Sequence, residues 1–116
     1  MSRKNVIQPY RLVTNGSTGA TLTSPVINLP WLDNICIESQ WTGTAVGTIK
    51  VEGSSSGNVY EFLKDVVGND ILHTVSGVAD NGMFDLNQLS FNYLRVVFTR
   101  TSGTGTINIW VSGKML

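Results

Sequence analysis

Cysteine and histidine occur once each in this chain, as Cys36 and His73, and proline occurs three times. A single thiol cannot form an intrachain disulfide, so nothing points to an oxidising compartment. One histidine and one cysteine leave no ligand cluster for zinc. Asp65, Asp70, Asp80 and Asp85 lack the spacing of a calcium-binding EF-hand loop. Charge is scarce as well, at 14% of residues against the roughly 25% usual in soluble domains. No apolar run approaches the length that crosses a membrane, and the opening MSRKNVIQPYRL lacks the apolar centre of a signal peptide. The expectation is a soluble protein without a membrane partner, maturing in a cytoplasm.

Net charge is zero, eight cations against eight acids, which argues against a nucleic-acid partner held by phosphate neutralisation. The charges are nonetheless segregated. Arg3, Lys4 and Arg11 precede every acid, Arg95, Arg100 and Lys114 follow the last one, and all the acids lie between Asp33 and Asp85. Local solubility accounts for this, and so does a basic end that docks onto an acidic neighbour.

Motifs for catalysis are also missing. A covalent mechanism needs a nucleophile, a base and a group to orient them. His73 stands beside Thr74 in a predicted strand and reads as a surface or hydrogen-bonded core residue. No family signature surrounds either His73 or Cys36, and a lone cysteine in a sandwich is usually a small hydrophobe. Glu38, Glu52 and Glu61 each fit the solvent face of a strand, with no pair placed across a cleft as glycoside hydrolysis requires. The glycines of Ser102-Gly103-Thr104-Gly105 lie between strands rather than before a helix, which removes a phosphate loop. No enzyme, metal or cofactor is expected.

What the chain does contain is alternation. From Phe91 to Gly113, Leu94, Val96 and Phe98 alternate with Tyr93, Arg95, Val97 and Thr99; after the Ser-Gly-Thr-Gly cluster, Ile107, Ile109 and Val111 alternate with Asn108, Trp110 and Ser112. Period two between β-branched and aromatic residues is the signature of strands. The expected arrangement is a hairpin, with Leu94 facing Val111, Val96 facing Ile109 and Phe98 facing Ile107. A second hairpin is expected from Asn34–Trp41 and Gly47–Gly53, with Ile35 and Ile37 on the side of Ile49 and Val51. Shorter strands are expected at Tyr10 to Thr14 (closed by Asn15-Gly16), Val26 to Leu29, Ile71 to Val75 and Met83 to Leu86, with Gly77 to Gly82 as a loop. Pro25 suits a sheet edge. Val59 to Val67 fits both helical and strand spacing, and its all-strand surroundings favour strand. The sum is an all-β fold, an antiparallel β-sandwich of jelly-roll type with about eight or nine short strands. Residues 1–9 are expected to form an N-terminal arm and residues 10–116 a single sandwich domain.

Surface is then where a task would lie. Arg95, Val97 and Trp110 occupy the non-core positions of the last hairpin, and either Arg95 or Val97 is expected directly across from Trp110. A tryptophan on a polar sheet face packs under a loop or arm, makes a subunit contact, or offers a platform to a sugar ring. Trp31, in its Pro-Trp-Leu turn, is a second platform candidate, whereas Trp41 suits the core. The arm contributes Arg3, Lys4, Val6, Ile7 and Tyr10 as contact candidates.

The run DNICIESQWTGTAVGTIKVEGS, followed by FNYLRVVFTRTSGTGTINIWVSGK, resembles small structural proteins of tailed and other bacteriophages. The shared pattern is a WTGT-x-VGT-x-x-VEGS stretch, an aromatic-x-Y-x-RV strand and a TSGTG turn, over Asp33 to Lys114. Ser54-Ser55-Ser56-Gly57 departs from it, standing where such proteins often carry an Asp-Gly pair. The resemblance implies a β-sandwich component of the virion, such as a capsid decoration protein, a head fibre or a tail part, often oligomeric. The resulting expectation is a non-enzymatic virion structural protein, assembled in the host cytoplasm, that decorates or cements the capsid. Its partners would be itself, as a homo-oligomer suited as a trimer to an icosahedral shell, and the major capsid protein or other virion proteins. The alternatives are a carbohydrate-binding or receptor-recognition module using Trp31 or Trp110, and a tail or baseplate component.

Overall fold

Alternation along the chain becomes alternation of burial. In the computed structural model, which describes residues 6–28, 34–65, 67–78, 80–86 and 91–114 (backbone alone for 6–10 and 114), ten strands are present among the described residues. They are β1 (Val6–Ser17), β2 (Leu22–Thr23), β3 (Ile27–Asn28), β4 (Asn34–Trp41), β5 (Val46–Ser54), β6 (Glu61–Phe62), β7 (Leu72–Ser76), β8 (Asp80–Leu86), β9 (Tyr93–Ser102) and β10 (Thr106–Lys114). One sheet has four strands in the order β1-β10-β4-β8. The other has six, in the order β2-β9-β5-β6, with β3 also on β9 and β7 also on β5. Each of these pairings is antiparallel. The fold is thus an all-β, two-sheet sandwich.

The core lies between the sheets. Ile35, Ile37 and Trp41 of β4, Ile107, Ile109 and Val111 of β10, and Phe84 and Leu86 of β8 come from the four-stranded sheet. Ile49 and Val51 of β5, Val75 of β7 and Leu94, Val96 and Phe98 of β9 meet them from the other. Burying each such side chain contributes about 1.5–3 kcal/mol. A one-residue slip in any central strand would exchange that set for polar neighbours, which pins the register. Trp41 is a core residue, and its indole Nε1 donates to the Val78 carbonyl at 2.9 Å.

Neither expected hairpin forms. β4 and β5 belong to different sheets, as do β9 and β10, so each pair is an arch across the core rather than a hairpin within a sheet. The residues expected to face each other still share one core, contributed from opposite sheets, while the in-sheet neighbours are different: β10 lies beside β4, with Ile109 opposite Ser39 and Val111 opposite Ile37, and β9 lies beside β5, with Phe98 opposite Ile49. Alternation states which side chains share a face. It is equally satisfied by an in-sheet partner and by one across the core.

Other boundaries move. β1 starts at Val6, so residues 6–9 belong to a strand paired with β10 (Val6 with Lys114, Ile7 with Gly113) rather than to an arm. Arg3 and Lys4 lie outside the described residues. Asn15-Gly16 does not close β1; it is an irregularity within it, Asn15 having φ 48° and its N–H donating to Asn108 Oδ1 at 2.8 Å. The 59–67 stretch forms β6 and then an isolated bridge between Lys64 and Asp70, with Val66 outside the described residues. The expected loop at Gly77 to Gly82 is shorter, because β8 already begins at Asp80. Pro25 does lie at a sheet edge, where Ser24 exchanges backbone contact with Val96 (Ser24 N–H to Val96 O, 2.8 Å; Val96 N–H to Ser24 Oγ, 2.9 Å).

Candidate contact surface

The outward residues of the four-stranded sheet form rows across it. In the central row Arg11 of β1 pairs with Trp110 of β10, Trp110 with Glu38 of β4, and Glu38 with Met83 of β8. The Arg11 guanidinium stands 4.9 Å from the centroid of the Trp110 ring, a cation–π contact. Trp110 is half-buried, and Met83 is 56% exposed. The flanking rows are polar: Ser112, Cys36 and Asp85 on one side, Asn108, Gln40 and Asn81 on the other. Two large apolar side chains therefore stand on a face of amides, hydroxyls and carboxylates. Burial pushes the Cys36 thiol above its ordinary pKa, and the Asp85 and Glu38 carboxylates push it further, which favours the protonated thiol.

The outward face of the six-stranded sheet is built differently. Arg95 of β9 faces Glu52 of β5, with Nε to Oε1 and Nη2 to Oε2 both at 3.4 Å, and its guanidinium lies 3.9 Å from the Tyr60 ring centroid. Next to it, Lys50 Nζ donates to Asp70 Oδ2 at 2.8 Å and sits 4.8 Å from the Phe62 ring centroid, while Lys64 also binds Asp70. The hydrogen bond from Lys50, then that from Lys64, holds the Asp70 carboxyl below the usual carboxylate range. The cations on this face are thus engaged within it. Beside Phe91, at the end of this sheet, a groove of about 450 Å³ is walled by Phe62, Leu63 and Val59 and rimmed by Ser55 and Glu61.

These placements correct the expected cluster. Trp110 lies on the opposite sheet from Arg95 and Val97, so neither residue is across from it; Arg11 and Glu38 are. Val97 is 6% exposed and offers no contact surface. It lies inside the sheet, between Thr23 of β2 and Lys50 of β5. Tyr10, Val6 and Ile7 are placed on β1 by their backbone pairing, while Trp31, like Arg3 and Lys4, lies outside the described residues. Met83 and Tyr60 were missed. An outward methionine was legible in the alternation of Met83, Phe84, Asp85 and Leu86, but nothing local marks Tyr60 as the partner of Arg95. Among the described residues no group of three or more histidine, cysteine, aspartate or glutamate side chains could hold a metal ion.

No family model matches the chain, and no curated protein matches it. Solved structures do resemble it. The SPBc2 prophage-derived protein YomS is similar over 97% of both chains, with a TM-score of 0.59 at 8% identity. A CBM4 carbohydrate-binding module is similar over 97% of this chain and 78% of its own, with a TM-score of 0.50 at 12% identity. At such identities what is shared is the β-sandwich fold.

Proposed function

We propose that this protein is a non-enzymatic structural component of a bacteriophage particle, and that its place is on the capsid, as a decoration or cement protein bound by surface complementarity. The observation that carries the reading is the row Arg11, Trp110, Glu38 and Met83, which sets two large apolar groups among hydrogen-bonding ones on an open sheet face. Arginine and tryptophan are the residues that most often anchor interfaces, and a polar surround lets such a face stay soluble before assembly. The whole-chain likeness to a prophage-derived protein and the resemblance of the WTGT and TSGTG runs to phage structural proteins support the phage setting. Self-association, as a trimer matched to shell symmetry, belongs to the same proposal.

The test is occupancy on purified shells of the parent phage that lack the protein. Trp110→Ala should weaken attachment about thirtyfold, the loss typical of a buried interface anchor, while the circular dichroism of the sandwich stays unchanged. Equal occupancy by the variant would rule out this face as the point of attachment. A second reading, a carbohydrate-binding module, is favoured by the likeness to the CBM4 domain and by the partly open indole. Glycan-array binding that disappears in Trp110→Ala, with shell occupancy retained, would select it.

A further inference from the structure

β8 is the last strand of the four-stranded sheet, and among the described residues its outer edge meets side chains rather than another strand. His73 comes from β7 of the opposite sheet, and its Nε2 donates to the Met83 carbonyl at 2.7 Å; a carbonyl can only accept, so Nε2 carries the proton. The imidazole packs on Phe84 with ring centroids 4.4 Å apart. It also lies against Gly82, where a Cβ would come within 2.9 Å of His73 Cδ2. Two residues before Met83, the Asn81 N–H is taken by Asp80 Oδ1 at 2.8 Å. Alternate residues of a strand point their backbone groups to the same side, so Asn81, Met83 and Asp85 face the free edge while Gly82 and Phe84 face β4. Two of those outward groups are capped by side chains.

An exposed strand edge is a template for another strand. The sequence of β8 is self-complementary about Met83. In an antiparallel pair of two copies related by a two-fold axis there, Met83 meets Met83, Asp85 meets Asn81, and Gly82 meets Phe84. No carboxylate faces another carboxylate directly, and the exposed methionines cover each other. We propose that the β8 edge is a strand-addition site for a second copy of this chain, kept shut by His73 and Asp80. This goes beyond the virion reading and does not depend on it. When the caps are removed, the two four-stranded sheets join into one continuous sheet through the Met83 seam.

Sedimentation equilibrium tests this over a range of concentrations. His73→Ala/Asp80→Ala should reach twice the mass of the wild-type assembly at concentrations where the wild type does not. His73→Phe, which keeps a ring on Phe84 and loses the donor, should shift the same way if the alanine variant folds poorly. Adding Met83→Pro, which deletes the outward N–H without touching the β4 ladder, should restore the wild-type mass. A folded, uncapped variant of unchanged mass would overturn the proposal, and so would a doubled mass that survives Met83→Pro.

Discussion

The paired arches at one end of the sandwich and the excursion between β5 and β7 both turn on glycine, yet they differ in how closely the chain is packed around it. In the arches two linkers approach main chain to main chain, with threonine hydroxyls adding to the contact. Thr42 N–H donates to Thr106 O at 3.0 Å and Thr44 N–H to Thr104 O at 2.8 Å, and Thr18 N–H reaches Gly105 O at 3.1 Å. This close approach leaves no room: a Cβ on Gly103 or on Gly105 would lie 1.9 Å from the carbonyl oxygen of Thr44 or Thr42, and Gly103 has φ +73° besides. The excursion has local main-chain bonds of its own, Asp65 N–H to Asn69 O at 2.8 Å, Gly68 N–H to Asp65 O at 3.1 Å and Ile71 N–H to Leu63 O at 3.0 Å, and adds charged side chains to them. Asp65 Oδ1 accepts from the N–H groups of Val67 and Asn69, both at 3.0 Å, and Asp70 gathers Lys50 and Lys64. Gly68 has φ +90°, and a Cβ there would meet nothing within 4 Å. Main-chain bonds run through both regions, but the first leaves no room for a side chain, whereas the second adds ion pairs to its own bonds and is open to solvent and pH.

Substitutions should separate the two. Gly103→Ala combines a left-handed φ with a backbone collision, and should cost about 3 kcal/mol or more in urea unfolding. A loss under about 1 kcal/mol would mean the arches are free to part. Gly68→Ala carries the conformational penalty without the collision, about 1–2 kcal/mol. Equal losses at the two glycines would erase the contrast. The smallest effect is expected from Asp70→Asn, and it should depend on pH. Lys50 and Lys64 favour the charged carboxylate, so the folded pKa lies below the unfolded one. The stabilisation is then fully present above the unfolded pKa and is lost as pH falls through the folded value. Urea midpoints of wild type and Asp70→Asn should therefore differ at pH 7 and converge in acid, whereas a gap of constant size would remove the ion pairs from the account.

The same contrast explains what could be read from the chain. Ile35, Ile37, Ile107, Ile109, Leu94 and Val96 were assignable to the core because their alternation needs only a buried side, and all are buried. Their strand partners were not legible. The Thr-Gly-Thr-Ala and Ser-Gly-Thr-Gly linkers suit a tight turn, and only the mutual approach of two such linkers, about sixty residues apart as in the Thr44–Thr104 contact, makes them arches. Asn15-Gly16 misled for a related reason: the left-handed conformation it provides serves a bulge as well as a turn. At the surface, the outward position of Trp110 followed from the strand period. Its neighbours depend on which strand lies alongside, and so Arg11 and Glu38 replaced Arg95 and Val97.

β1 and β10 pair along their lengths, from Val6 opposite Lys114 to Ser17 opposite Thr106. A ribosome releases residues at about 5–20 per second, so the opening segment waits several seconds for its mate. Until residue 114 clears the exit tunnel, the flank of β1 that will meet β10 has no native neighbour, and a holding chaperone would find its target there. Closure therefore waits on the emergence of β10, and is slowed by the long loop that must be drawn shut before the seam can zip.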